Sequence, residues 1–289
     1  MIYWVLKATL GSLLWAIWRP QVEGLEHVPE KGPAILASNH LAVTDSFFMP
    51  LVVKRRVTFI AKEEYFTGRG LKGRFVRVLM NAVGAIPVDR AGGEAATASL
   101  DTGKRVLSEG RLFGIYPEGT RSPDGRLYRG KTGVARLALQ TGSVVVPVAM
   151  LNTGELQPIG RRIPRIGRVR IKFGPALDFN RYRELVGDRF IERAVTDEVM
   201  DSLRALSGQD YVDEYAAKYR GREKKGELGE HRSLLPALAT TPSIRLRHHV
   251  LTRLRRNPPS AAVPADPPPR SCGPPCAASR GSRRSRSPG

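Results

Sequence analysis

The segment from Ser38 to Asp45 places a histidine, His40, five residues before Asp45, where an apolar run gives way to a helical pattern. Five residues of continuous helix turn by about 500°, so the two side chains can meet only if the backbone bends between them, as it does where a strand turns into a helix. A carboxylate on one imidazole nitrogen fixes the ring tautomer and supports the charge that forms when the other nitrogen takes a proton. The spacing therefore predicts a general base, with one alternative: Asp45 is only the N-cap of the next helix.

The sequence offers no protein nucleophile to accompany this pair. The Gly-x-Ser-x-Gly motif of hydrolases does not occur, and both cysteines, Cys272 and Cys276, lie in a Pro-, Ser- and Arg-rich stretch near the end of the chain. A base at His40 would therefore activate a hydroxyl group of the substrate itself. The same cysteine positions argue against a disulfide-stapled fold and against a metal site, and favour a reducing, cytosolic setting.

A second loop carries residue types that suit a phosphate. Residues 117–122 read Pro-Glu-Gly-Thr-Arg-Ser and follow a predicted strand. Glycine permits close backbone approach, arginine offers a planar fork for phosphate, and amides at the start of the next helix can add donors. A third loop runs from Gly84 to Arg90 and ends with another arginine, which we expect to converge on the same ligand. Either arginine, considered alone, is equally compatible with a solvated surface charge.

These loops need a scaffold that brings strand ends together, and the hydrophobic pattern provides it. Short apolar runs predict strands at residues 33–37, 57–60, 85–88, 112–116 and 144–148, and helical patterns cover 45–53, 71–81, 94–108 and 131–141. This alternation predicts an α/β fold with a mostly parallel sheet flanked by helices. Residues 168–173 alternate strictly, which predicts a half-buried strand with one basic face, and residues 181–206 predict a final helix.

The four motifs, in their order along the chain, resemble the four blocks of the glycerolipid acyltransferases. The matching segments are Asn39-His40 with Asp45, Gly84 to Arg90, Tyr116 to Ser122, and Val146-Pro147-Val148, and the resemblance covers roughly residues 24–174. It implies a glycerol-phosphate acyltransferase-like fold. It also implies transfer of a fatty acyl group from acyl-CoA or acyl carrier protein to the free hydroxyl of a lysophospholipid, above all lysophosphatidic acid, which would become phosphatidic acid.

The resemblance also assigns roles to individual residues. His40 is implied as the general base and Asp45 as its orienter, and Pro147 has a structural or acyl-positioning role. The implied acceptor-binding residues are Arg90, Glu118, Gly119, Thr120 and Arg121. No cofactor is implied beyond the acyl thioester co-substrate. The chain departs from the common family pattern at Ala42, where many members have serine, and at Tyr116, where phenylalanine is more frequent.

Three alternative activities are compatible with the same residues. In the first, the protein is an acyltransferase for another lysolipid. In the second, it is a lysophospholipid hydrolase in which His40 activates water. In the third, it is a non-catalytic protein that binds lipid surfaces. Nucleic acid is not an expected partner, because the folded part lacks a zinc finger and an aromatic-rich ribonucleoprotein motif.

Residues 1–20 are predicted to form a membrane-associated helix ahead of an acyltransferase domain over residues 21–220. Of the first 18 residues 14 are apolar, Lys7 is the single charge, and all three tryptophans lie here. A helix of 18 residues reaches about 27 Å, just short of a comfortable span, so an interfacial helix is favoured over a spanning helix or a helix that packs on a soluble core. We therefore expect the protein at the cytoplasmic face of a membrane.

Residues 221–289 are predicted to be a disordered, basic tail. They contain 14 of the 47 basic residues, 4 of the 27 acidic residues and 11 of the 22 prolines, and so contribute about half of the net charge of +20. Such a composition cannot bury enough apolar surface to offset the entropy of the chain. The net charge indicates an anionic partner, which is nucleic acid, a phospholipid surface or a phosphorylated substrate, and charge alone does not choose among them. Residues 243–256 are the exception to the disorder, because they are also compatible with a short basic helix that contacts an anionic membrane.

Overall fold

A seven-stranded sheet forms the centre of the computed structural model, which describes residues 2–82, 84–88 and 95–224. The strands are β1 (Gln21–Glu23), β2 (Ala34–Ser38), β3 (Val57–Lys62), β4 (Ala85–Val88), β5 (Leu112–Ile115), β6 (Leu127–Tyr128), β7 (Val144–Leu151), β8 (Arg170–Phe173) and β9 (Tyr211–Val212). The large sheet has the order β1-β8-β7-β2-β5-β3-β4, and its neighbours are parallel except for β7 and β8. β6 and β9 pair separately. The prediction of a mostly parallel sheet is confirmed.

Strand β2 lies in the middle of the sheet between β5 and β7, and all five of its residues are buried. A strand covered on both faces is apolar throughout, as residues 34–37 are. Ala37 near the end of β2 pairs with Ile115 at the end of β5. Because these two strands are parallel, the loops that follow them begin side by side at one edge of the sheet.

Helices connect the parallel strands as the alternation predicts. In the described ranges the α-helices are α1 (Ile2–Trp18), α2 (Asp45–Val52), α3 (Glu64–Thr67), α4 (Gly70–Ala82), α5 (Ala95–Ser108), α6 (Gly133–Thr141), α7 (Thr153–Leu156), α8 (Arg189–Ser207) and α9 (Ala216–Lys224), with 3₁₀ helices at Leu25–His27 and Asn180–Leu185. The four predicted crossover helices correspond to α2, α4, α5 and α6 within two residues. α8 packs against β7, and α6 packs against both α5 and α8.

The predicted final helix over residues 181–206 is wrong at its beginning. A 3₁₀ helix ends at Leu185, and α8 begins only at Arg189. Between them Gly187 has a φ of +93°, which interrupts a helical path. Asp188 then serves as the N-cap and accepts hydrogen bonds from the backbone N–H groups of Phe190 and Ile191.

Helix α1 contacts the domain through Lys7 and Trp18. The Lys7 ammonium donates to the carbonyl of Val53, and the Trp18 ring packs edge-on against Phe48 with ring centroids 6.0 Å apart. The helix exposes half or more of three large apolar side chains, Trp4, Leu13 and Trp15. Within the described ranges no helix combines the length and the apolar character that a membrane span requires.

The end of the described chain differs slightly from the predicted boundary. Helix α9 continues to Lys224, four residues past Arg220, where the tail was expected to begin. The remainder of the predicted tail, residues 225–289, lies outside the described residues, so its disorder stays a prediction.

Candidate active site

The structure brings His40 and Asp45 together. The Nδ1 atom of His40 lies 3.0 Å from Oδ2 of Asp45, and the side chain of Asp45 is fully buried while that of His40 is 16% exposed. The bend expected between them is a turn over Val43 and Thr44 that precedes α2. Nδ1–H of His40 thus donates to the carboxylate, and Nε2 has no hydrogen-bond partner within the described part of the chain. This arrangement suits an imidazole that accepts a proton at Nε2.

Asp45 also organises the loop from which His40 projects. Its Oδ2 atom accepts the backbone N–H groups of Leu41 at 2.7 Å and Ala42 at 2.8 Å, in addition to the His40 ring. The carboxylate therefore points back toward the loop instead of capping α2, whose N-cap position is held by Thr44 without a side-chain bond. The N-cap alternative is wrong. Oδ1 of Asp45 is buried without a hydrogen-bond partner in the described ranges.

The ring of Tyr116 packs against the ring of His40, a contact that the sequence did not predict. Its ring stacks on the His40 ring with centroids 3.9 Å apart and an interplanar angle of 12°, and its hydroxyl lies 2.8 Å from Oγ of Ser46. Burial, reinforced by the charge of Asp45, raises the pKa of Tyr116 well above its ordinary value, so the phenol stays neutral. The signal in the sequence was its place at the end of a strand directly before the Pro-Glu-Gly-Thr-Arg-Ser loop.

Glu118 has a different place from the one expected of an acceptor-binding residue. Its side chain is buried, and its two oxygens accept backbone N–H groups, Oε1 from His40 at 3.2 Å and Oε2 from Tyr128 at 2.9 Å. It therefore ties the histidine loop to β6 and does not present its carboxylate to a ligand. Burial raises the pKa of Glu118 to about 7, against the two backbone hydrogen bonds, which lower it.

Asn39 fixes the other side of the histidine loop. The buried side-chain amide accepts the N–H of Met150 at 2.7 Å and donates to the carbonyl of Met150 at 3.0 Å and to Oε1 of Gln209 at 2.7 Å. A further backbone bond joins the carbonyl of His40 to the N–H of Ser122 at 2.7 Å. The residue before the base and the backbone carbonyl of the base itself are thus held by neighbouring segments.

Gly119, Thr120 and Arg121 follow Glu118 in the same loop and are more exposed than Glu118 is. Gly119 has a φ of +73°, which glycine adopts without strain, and a Cβ added there would lie 3.0 Å from Cε and 3.1 Å from Nζ of Lys131. The ammonium of Lys131 therefore covers this glycine. In the described residues, the side chains of Arg121 and Lys131 take part in no ion pair. Two cations beside a glycine turn can hold a phosphate.

Two residues of the predicted motifs remain, Arg90 and Pro147. Arg90 lies outside the described residues, so its convergence on the site stays a prediction. Pro147 lies inside β7, paired with Ala37 of β2, and its carbonyl accepts the N–H of Gly174. This position is structural. In the described ranges no group of three or more His, Cys, Asp or Glu side chains is arranged to hold a metal ion.

The loop after β2 carries a histidine–carboxylate pair, and the loop after β5 supplies a glycine turn with a lysine ammonium over it. Residues 19–151 match the family model described as Acyltransferase. Somewhat less than half of the chain is thus similar to the acyltransferase family, and all four sequence motifs lie within that stretch.

Several relatives similar in sequence are named as 1-acyl-sn-glycerol-3-phosphate acyltransferases. The chloroplastic protein of Arabidopsis thaliana is 29% identical over 58% of this chain and 46% of its own length. The protein of Borreliella burgdorferi is 33% identical over 52% of this chain and 58% of its own. The chain thus spans about half the length of the curated relatives it matches.

A solved structure agrees with this fold. The crystal structure of the 1-acyl-sn-glycerophosphate acyltransferase from Thermotoga maritima superimposes with a TM-score of 0.54 and 27% identity. The superposition covers 71% of this chain and 78% of that one.

Proposed function

We propose that the protein transfers a fatty acyl group from an acyl thioester to the free hydroxyl of a lysophospholipid, with lysophosphatidic acid as the acceptor and phosphatidic acid as the product. The observation that carries this proposal is the 3.0 Å contact between His40 and Asp45, with the Lys131 ammonium over Gly119 in the neighbouring loop. Among the residues that the structure describes, neither Arg121 nor Lys131 has an ion-pair partner. The names of the relatives and of the Thermotoga maritima structure support the same reaction. The donor is acyl-CoA or acyl carrier protein.

The reaction proceeds by direct transfer without an acyl-enzyme. Nε2 of His40 removes the proton of the acceptor hydroxyl as the oxygen attacks the thioester carbonyl, so a C–O bond forms. The C–S bond then breaks, and the leaving thiolate takes the proton from the imidazolium. Asp45 stabilises that imidazolium, and the Tyr116 ring restricts the imidazole to one orientation.

The acceptor phosphate binds on the open side of the site. The guanidinium of Arg121 offers paired N–H donors, and Lys131 adds a point charge over Gly119. The sequence motif that ends at Arg90 predicts this arginine as a further contact with the phosphate. Because the phosphate is remote from the attacking hydroxyl, these contacts mainly hold the acceptor in place.

The protein works at a membrane, where acceptor and product reside. Helix α1 exposes Trp4 and Trp15, and tryptophan favours the bilayer interface. Removing α1 altogether would uncover the surface beneath Trp18, so substitution is the cleaner test. Replacing Trp4 and Trp15 with serine should weaken the binding of the full chain to phospholipid vesicles in a sedimentation assay, whereas undiminished binding would refute the anchoring role of α1.

The central experiment assays the purified full chain with lysophosphatidic acid and labelled acyl thioesters. Wild-type protein should form labelled phosphatidic acid, and His40→Ala should lower the turnover about 10²–10⁴-fold. The control is His27→Ala, because His27 contacts the carbonyl of Phe173 and lies outside the site. Release of free fatty acid without any phosphatidic acid would identify a hydrolase instead, and equal rates for wild type and His40→Ala would reject the mechanism.

A further inference from the structure

A surface segment between α7 and β8, residues 158–168 (the basic loop), combines exposed apolar side chains with positive charge. Ile159, Ile163 and Ile166 are 47%, 76% and 78% exposed. Four arginines alternate with them, namely Arg161, Arg162, Arg165 and Arg168, and residues 156–177 contain no acidic side chain. A single exposed isoleucine is ordinary, but three within eight residues, two of them directly after an arginine, form a patch of amphipathic character.

The base of the basic loop is firmly held although its tip faces solvent. The buried amide of Gln157 donates to the carbonyls of Arg161 at 3.4 Å and Arg162 at 3.2 Å, and the N–H of Arg165 donates to the carbonyl of Leu156 at 2.8 Å. The loop is thus fixed by its backbone, while the isoleucine side chains are left without apolar cover. This preformed shape lowers the entropy cost of docking.

The basic loop lies next to helix α1, which is the predicted membrane helix, and next to the loop that carries His40. The indole N–H of Trp18, at the end of α1, donates to the carbonyl of Arg165 at 2.9 Å. On the opposite side, Oε1 of Gln157 accepts the N–H of Thr44, in the turn between His40 and Asp45. One short segment therefore lies between the exposed tryptophan helix and the catalytic loop.

We propose that the basic loop inserts its isoleucine side chains into the surface of a bilayer that contains anionic phospholipids. Arginine guanidinium groups meet lipid phosphates, while Ile163 and Ile166 enter the boundary between head groups and acyl chains. Charge complementarity and the contact with Trp18 at the end of α1 favour this occupant over a protein partner. The insertion itself requires no catalysis. Its consequence rests on the proposed function: it brings the catalytic loop to the surface in which the acceptor lies.

A local probe tests the insertion separately from any binding by α1 or by the chain end. An environment-sensitive fluorophore is attached to Ile166→Cys in a full chain that also carries Cys272→Ser and Cys276→Ser. Vesicles of phosphatidylcholine with phosphatidylglycerol should raise the fluorescence several-fold. The control is Phe190→Cys in the same background, because Phe190 is 86% exposed on α8, and its probe should stay unchanged.

A paired charge experiment tests the lipid contacts. Arg162→Gln with Arg165→Gln should weaken binding to the anionic vesicles about tenfold or more, with a smaller dependence on salt than in the wild type. Arg189→Gln with Arg204→Gln removes two exposed arginines of α8 and should weaken binding far less. Equal losses in the two double variants would mean that net charge, not the basic loop, governs binding, and would overturn the proposal.

The outcomes separate this inference from the proposed function. A probe at residue 166 that remains in water while the protein sediments with anionic vesicles rejects the insertion, whatever the enzyme activity. The inactive variant His40→Ala should give the same fluorescence rise as the wild type. Insertion in a protein that forms no phosphatidic acid would leave the basic loop established and the proposed reaction refuted.

Discussion

The two sides of the candidate site are built in opposite ways. On the base side, His40 contacts the buried carboxylate of Asp45 and the ring of Tyr116, and its backbone bonds to Glu118 and Ser122. On the anion side, Lys131 is exposed and the side chains of Thr120 and Arg121 are half-buried. The difference matches the two tasks. Proton transfer needs a base whose geometry is set before the substrate arrives, whereas a phosphate site needs cations that are not already neutralised.

The largest expected effect on turnover comes from removing the charge of the Asp45 carboxylate. Asp45→Asn preserves the size of the side chain, and its carbonyl can still accept from Leu41 and Ala42, so the loop should keep its path. The imidazolium loses its counter-charge, and the turnover should fall about 10²–10⁴-fold with a much smaller change in KM. The measurement is steady-state kinetics of phosphatidic acid formation.

A control and a double variant make this result decisive. Asp101→Asn removes an exposed carboxylate of α5 and should leave kcat unchanged. Combining His40→Ala with Asp45→Asn should be no slower than His40→Ala alone, because the two residues act as a unit. If Asp45→Asn retained nearly full kcat, Asp45 would be an organiser of the loop and nothing more.

Breaking the anion side should change binding more than chemistry. Arg121→Ala removes a charge-assisted contact with the acceptor phosphate, so the acceptor KM should rise about 10- to 100-fold while kcat and the thioester KM change little. Arg204→Ala is the matched control, since it removes an exposed arginine from α8. Normal acceptor kinetics combined with a loss of thioester use would move Arg121 to the donor.

Glu118 connects the two sides, and its titration should appear in stability. Burial raises its pKa from 4.5 to about 7. The folded state therefore holds the proton more tightly than the unfolded state, and this contribution to the free energy of unfolding is lost as the pH rises from about 4.5 through about 7. Glu118→Gln lacks this titration. Its side-chain amide also places an NH₂ group opposite the backbone N–H of either His40 or Tyr128, which then has no acceptor. This loss should lower the free energy of unfolding by about 1–3 kcal/mol.

Urea unfolding at about pH 5 and about pH 8 measures this effect. The stability difference between wild type and Glu118→Gln should be larger at the lower pH, because only the wild type loses the proton-linked contribution. A difference that grew with pH would mean that the ionised carboxylate, stabilised by the N–H groups of His40 and Tyr128, is the favoured form in the folded protein.

Sequence patterns predicted the scaffold well because each parallel strand and its crossover helix leave a local signal. The strand before His40 is apolar throughout, and the helix after it begins at Asp45. Glu118 could not be assigned in the same way, because its two partners, the N–H groups of His40 and Tyr128, lie 78 and 10 residues away in the chain. The break before α8 was missed because two adjacent helical patterns look continuous unless the turn at Gly187 is recognised.

The smallest expected effect separates the two contributions of Tyr116 to the base side. Tyr116→Phe keeps the ring on the imidazole but removes the hydrogen bond to Ser46, so kcat should fall no more than a few-fold and stability by about 1 kcal/mol. Tyr116→Leu keeps apolar volume and removes the aromatic stack, and should reduce kcat further while the acceptor KM stays near its wild-type value. If Tyr116→Phe instead lowered kcat as much as His40→Ala, the hydroxyl of Tyr116 would be donating a proton to a reacting atom. Tyr116 would then be a general acid and not only a ring that packs against His40.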